Sequence, residues 1–301
     1  MIKNLFAFLL ICLNATLLIQ AQTKDSTLKI IKKDTLWRKS FNGGLNINQN
    51  NFSNNWQGGG ANSFAIGSLI NARAYYVKGK TSWDNIIDLQ YSRVSTSGLG
   101  NRKGNDRIFL DSKYGYGLSK VIGLFAALNF QSQFDKGYKY SNNNGINTQQ
   151  YLSSFLSPGY LSESVGFDYK PNSWFDVRWG IATLRQTIVR DTALHQYVSN
   201  NYGVPIGSTV RNQVGSSIVA TLDKDLAKTL NLKAMFSLFT DYAKPGIMVP
   251  RLDILFTSKA MKYVNVNLGG TLFYDQTQSG QIQTSQFLSV GLAYNFSQFK
   301  K

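Results

Sequence analysis

Residues 107–118 read RIFLDSKYGYGL. Ile108, Leu110, Tyr114, Tyr116 and Leu118 recur at a period of two, while Arg107, Asp111, Lys113 and two glycines occupy the alternate positions. Alternation at 180° per residue is the signature of an extended strand with one greasy and one wet face. The pattern repeats on both sides of this stretch. In GLFAALNFQSQF (123–134), Leu124, Ala126, Leu128, Phe130 and Phe134 alternate with Asn129, Gln131 and Gln133. FDVRWGIATL (175–184) sets Phe175, Val177, Trp179 and Ile181 against Asp176 and Arg178. RLDILFTSK (251–259) sets Leu252, Ile254 and Phe256 against Arg251, Asp253 and Lys259.

Extended along the chain, the alternation predicts about twelve strands, beginning near residues 41, 62, 83, 106, 123, 159, 174, 210, 229, 249, 263 and 285. Short links at 78–82, 118–122, 170–173 and 258–262 alternate with longer polar ones, NNFSNNWQGGGA, TSGLGNRKGN, DKGYKYSNNNGINTQQ and RDTALHQYVSNNYGVPIGS. Tight turns at one end and long loops at the other are the layout of an antiparallel up-and-down transmembrane β-barrel. Tyr76, Trp83, Tyr169, Trp174, Tyr263, Tyr294 and Phe296 flank the short-turn end, and Tyr91, Tyr138, Tyr160, Tyr242 and Tyr274 the long-loop end. Two belts of amphipathic rings suit the two bilayer interfaces. The fold expected is therefore all-β, a barrel of about twelve strands in an outer membrane with periplasmic termini.

Composition agrees. Aromatics reach 13% and charged residues only 16%, below the ~25% usual in globular chains. Helix-forming glutamate is present once, as Glu163, and proline five times. The first residues, MIKNLFAFLLICLNATLLIQAQ, carry Lys3, an apolar run from Leu5 to Ile19, and a small residue, Ala21, before a polar stretch. That is the layout of a cleaved signal peptide, expected over 1–21. Residues 22–40 then form a basic periplasmic segment and 41–301 the barrel. Cys12 is the only cysteine and sits in the leader, so the exported chain has no disulfide to lean on.

The stretch SVGLAYNF (289–296) places Ser289, Gly291, Tyr294 and Phe296 in the pattern of the assembly signal of outer-membrane proteins. The barrel-assembly machinery is thus an expected partner during biogenesis, along with outer-membrane lipid. The segments NWQGGGANS (55–63), KTSWDN (80–85), RKGNDR (102–107), SKYGYGL (112–118) and FQSQFDKGY (130–138) resemble the signature stretches of an uncharacterised Bacteroidota outer-membrane β-barrel family, of the domain of unknown function 3078 type. The resemblance spans roughly the first half of the barrel. It implies a barrel in the outer membrane and brings no activity, cofactor or catalytic residue with it.

A formal charge of +16 would suggest nucleic acid in a cytosolic protein, but the export signal argues against such a partner. Lys78, Lys80, Lys120, Lys170, Lys224, Lys228, Lys259, Lys262, Lys300 and Lys301 are expected toward the short turns as a basic collar facing anionic headgroups. On the wet strand faces, Arg73, Asp84, Asp88, Arg107, Asp111, Lys113, Asp176, Arg178, Arg251 and Asp253 are lumen candidates, with Lys233 on the same face and much of the set expected to pair across neighbouring strands. Glu163 departs from the pattern, since alternation puts it on the lipid face with Val165 and Phe167. No His/Cys cluster points to a metal and nothing points to a cofactor. The single histidine, His195, lies in a long polar loop near Asp191 and Ser199. The function expected is a narrow, porin-like channel for small solutes without enzymatic activity. The alternative is a closed scaffold binding an envelope partner through loops 136–158 and 191–209; the minor one is an outer-leaflet lipid hydrolase using His195.

Overall fold

The computed structural model describes residues 36–50, 62–143, 146–198 and 200–299. The leader, most of the 22–40 segment, Ser199 and the last two lysines lie outside these residues. The described residues form fourteen strands. They are β1 (Trp37–Asn50), β2 (Ser63–Lys78), β3 (Thr81–Thr96), β4 (Gly100–Gly117), β5 (Ile122–Ser132), β6 (Gly137–Asn143), β7 (Ile146–Ser153), β8 (Gly159–Tyr169), β9 (Phe175–Ile188), β10 (Val210–Ala227), β11 (Leu230–Asp241), β12 (Lys244–Met261), β13 (Val264–Phe273) and β14 (Gln283–Ser297). Twelve of them close a barrel in the order β1-β14-β13-β12-β11-β10-β9-β8-β5-β4-β3-β2, and β6 and β7 pair separately as a two-stranded sheet. Every barrel pairing is antiparallel.

Alternation sends the apolar positions outward. Leu45, Ile47, Leu110, Tyr114, Val165, Val214, Leu288 and Leu292 are among many large apolar side chains exposed on the wall. A soluble monomer rarely shows contiguous apolar patches beyond a few hundred Å². Lipid removes that penalty, and closure leaves no unpaired strand edge in hydrocarbon. Trp37 gathers with Tyr76 and Trp83 at ring separations of 5.1 and 6.0 Å at the short-turn end.

Closure is made by β1 and β14, which pair from Ser40 with Ser297 to Leu45 with Leu292. Gly291 is required there: a Cβ on it would lie 2.3 Å from Leu45 O and 2.9 Å from the Asn46 Cα. Gly166 is needed for a similar reason at a register shift between β8 and β9, where a Cβ would come within 1.9 Å of Trp179 O.

The structure departs from the sequence reading in four places. β1 starts at Trp37, not 41, and its first residues pair with Tyr76, Tyr75 and Ala74 of β2; Lys39 and Ser40 lack the apolar period that marks the rest of the strand. The long link expected at 96–105 is mostly strand, because β4 begins at Gly100. Strand that projects past the hydrocarbon needs no apolar face. The polar 136–158 stretch contains the β6–β7 hairpin. Finally, Tyr160, Tyr138 and Trp174 depart from the lipid-facing belts, Trp174 lining the cavity. Tyr160 lines the interior, and Tyr138 stacks with Tyr140 and Tyr151 at 6.3 and 5.5 Å on the hairpin.

Candidate functional site: the charged lumen

The wet faces of the strands enclose an internal cavity of about 520 Å³. Its lining extends from Lys170, Ser173 and Trp174 at the short-turn end to Asn105, Gln133 and Pro158 at the long-loop end. All ten lumen candidates, Arg73, Asp84, Asp88, Arg107, Asp111, Lys113, Asp176, Arg178, Arg251 and Asp253, line it. Lys170, Lys233, Asp106 and Asp223 join them. The cavity wall therefore carries seven cations and seven carboxylates.

Their pairing differs from the expectation of neighbouring-strand pairs. Among the ten, only Arg73 and Asp84 pair across adjacent strands, with Arg73 donating from Nε at 2.8 Å and from Nη2 at 2.6 Å. Most of the rest reach over the interior. Arg107 on β4 donates to Asp253 on β12 at 3.4 Å, and those strands stand on opposite sides of the ring. Asp253 also accepts from Arg251 at 2.7 and 2.9 Å and from the Thr271 hydroxyl at 2.7 Å. Arg178 on β9 donates to both oxygens of Asp111 on β4, at 3.3 and 3.1 Å. Lys113 on β4 reaches Asp168 on β8 at 3.3 Å and Asp176 on β9 at 3.0 Å. Lys233 on β11 donates to Asn71 on β2 at 3.0 Å. A ring of twelve strands is narrow enough for Arg and Lys to span with a carboxylate partner, so the charges bridge the lumen and narrow it.

Two members lack an ionic partner among the described residues. Asp88 accepts from the amides of Asn71 and Gln90, at 3.2 and 3.1 Å. Lys170, expected in the rim collar, lies instead at the cavity mouth with its ammonium 5.4 Å from the Tyr75 ring centroid. Burial pushes the Lys170 ammonium down from its ordinary value, and Arg73 and Lys113 push it further. Alternation places Lys233 on the wet face and could have found Asp223, but nothing local marks Lys170 as inward.

At the long-loop end the hairpin and the 189–209 loop form a cap. Val189, Leu194 and Val204 make a small buried core, with Tyr151, Val198 and Tyr202 packed against it. The Tyr202 hydroxyl donates to Leu152 O at 2.6 Å, and burial, then Tyr151, raises it to about 12. Arg185 donates to Asp275 at 3.1 Å, with both side chains nearly buried. His195 contacts the Thr192 carbonyl through Nδ1. The Asp191 carboxylate is instead held by the Tyr151 hydroxyl at 2.7 Å and Ala193 N at 3.1 Å. Ser199 lies outside the described residues.

The four assembly-signal candidates lie on β14, where Tyr294 and Phe296 face outward and Tyr294 meets Phe41 across the closure at 6.5 Å. Ser289 pairs with Asn267 and Gly291 with Asn265 of β13. Glu163 is exposed on the outer wall between Leu128 and Leu184.

Fold and site together define a closed twelve-stranded barrel with an apolar outer wall and an ion-paired interior. Residues 47–138 match the model of a family described as Protein of unknown function (DUF3078). The five stretches that carry the sequence resemblance fall within or end at this span. No curated protein matches the chain. Among solved structures the chain is similar to the translocator domain of autotransporter NalP from Neisseria meningitidis, at 15% identity over 88% of this chain and 90% of that one, with a TM-score of 0.37. It is also similar to the COG4313 outer membrane channel from Pseudomonas putida F1, at 9% identity over 91% and 100%, with a TM-score of 0.38. A third is the KdgM porin, at 9% identity over 85% and 99%, with a TM-score of 0.31. Likeness at this level says nothing of activity.

Proposed function

We propose that the protein is an outer-membrane channel of porin-like, narrow type that passes small solutes. One observation carries the reading: a charged cavity whose lining extends from one end of the strands to the other, inside a wall that is apolar without. A barrel with only a structural role needs no such path and is more stably filled by apolar side chains, since buried ion pairs often contribute less than packed hydrocarbon. In this reading the short turns face the periplasm, where Lys78, Lys120, Lys228 and Lys262 meet anionic headgroups, each contributing about 1 kcal/mol. Ser289, Gly291, Tyr294 and Phe296 present the assembly signal to the barrel-assembly machinery, and no side chain is assigned a catalytic role.

The test is single-channel recording of the refolded protein in a planar bilayer. Small discrete steps are expected. Silence from a protein shown to be folded by its heat-modifiable mobility refutes the channel reading. A second reading, a scaffold that binds an envelope partner through 136–158 and 191–209, draws support from the built cap, in which Tyr138, Tyr140, Tyr151 and Tyr197 run in ring contact at 5.5–6.3 Å. Loss of partner capture on removing β6–β7, with conductance absent throughout, is the result that favours it.

A further inference from the structure

The chain carries a formal charge of +16, yet its cavity wall balances seven cations with seven carboxylates. The formal surplus is not carried by this wall. Within it, most charges are spent on one another: Arg73 on Asp84, Arg178 on Asp111, Lys113 on Asp176, Arg107 and Arg251 on Asp253. The two exceptions, Asp88 and Lys170, have opposite signs. A passing ion meets no net field to select it among groups whose charge is already satisfied.

Uncharged polar groups are what remain. Among the described residues the side chains of Gln131, Gln283, Thr284 and Asn105 line the cavity without a hydrogen-bond partner. Phe273, Phe287 and Trp174 add aromatic faces to the same wall. Free amides and a hydroxyl beside aromatic faces suit a ligand with many hydroxyls and apolar C–H faces. A volume of about 520 Å³ falls in the range of small-molecule sites, ~300–1,000 Å³.

We propose that the solutes are small, neutral and polyhydroxylated, of monosaccharide to disaccharide size, bound in passing by the amides Gln131 and Gln283. The proposal rests on the channel reading and names its substrate class. Proteoliposome swelling tests it with arabinose, glucose, maltose and sodium gluconate, alongside the reversal potential in a tenfold KCl gradient. Swelling with the sugars at least tenfold above protein-free vesicles is expected, with gluconate slower and a reversal potential near zero. Asp88→Asn is expected to shift selectivity toward anions and Lys170→Gln toward cations, and Gln131→Leu with Gln283→Leu to slow glucose several-fold relative to KCl. A wild-type pore that prefers one ion sign by tenfold or more, or that passes KCl and excludes arabinose, overturns the proposal and leaves the channel reading standing. If the folded protein is silent, the channel reading falls, and calorimetry with maltose in detergent decides the rest: bound sugar supports the cavity's assignment, and no heat overturns it too.

Discussion

Asp253→Asn is the substitution that most directly probes the bridged lumen. The carboxylate holds both oxygens against Arg251, at 2.7 and 2.9 Å, and takes Arg107 from the opposite wall at 3.4 Å and Thr271 at 2.7 Å. An amide of the same shape keeps one acceptor and loses the charge. One short charge-assisted bond, of ~1.5–3 kcal/mol, is broken outright, and the contact at 3.4 Å loses its attraction. The side chains are 19% and 12% exposed, so the wet lumen screens part of this loss and the upper figure for a buried pair, ~3–5 kcal/mol, does not apply. A destabilisation of about 2 kcal/mol follows, read as a lower midpoint in urea-induced unfolding from lipid vesicles. Two guanidinium groups are then left with one fewer counter-charge, and the bridge from β4 to β12 is loosened. Conductance is expected to rise and the reversal potential to move toward anions. Unchanged conductance and selectivity, with less than about 0.5 kcal/mol lost, would refute the claim that this bridge obstructs and neutralises the path.

Other expectations follow from single features. Gly291→Ala puts a methyl 2.3 Å from Leu45 O, so barrel closure should fail during refolding into detergent without any assembly machinery; a defect seen only in cells points to signal recognition in its place. Leu194 is fully buried in the cap core, and Leu194→Ala should cost ~2–5 kcal/mol there, appearing as protease cleavage within 189–209 while the barrel band stays intact. Tyr202, raised to about 12 from ~10 in the unfolded chain, contributes cap stability that is complete below about pH 10 and lost as pH rises through about 12; Tyr202→Phe should flatten that alkaline loosening in hydrogen exchange of 146–153. Leu45→Arg on the outer wall should cost as much as ~2–4 kcal/mol in vesicles if it sits near the midplane and little in a water-filled site, which urea titration distinguishes.

The acid side has a counterpart at the hinge of the hairpin. The Asp135 carboxyl is held below the usual range by the backbone N–H of Lys136, at 2.7 Å, and by the Tyr91 hydroxyl at 3.0 Å. A depressed carboxylate contributes stability above its unfolded value of about 3.9 and loses it as pH falls through the folded one. Hydrogen exchange at Lys136 should therefore accelerate only below about pH 4, and Asp135→Asn should remove that dependence.

Local chemistry by itself determined the strands. Period-two alternation is written in consecutive residues, so twelve strand positions, the outward turn of Leu110 and Tyr114, and the inward turn of Asp111, Lys113, Asp176 and Arg178 were legible without any knowledge of their neighbours. What strand period could not reach is which inward charges meet. Arg107 and Asp253 are 146 positions apart, and they touch only because the ring closes with β4 facing β12. The β6–β7 hairpin was hidden for a different reason: a two-stranded sheet outside the hydrocarbon carries polar residues on both faces, so no apolar period announces it. Gly291 shows both sides of the division. Its place in SVGLAYNF could be read as a pattern, but the need for a bare Cα there comes from the backbone of β1, which only closure brings within 2.3 Å.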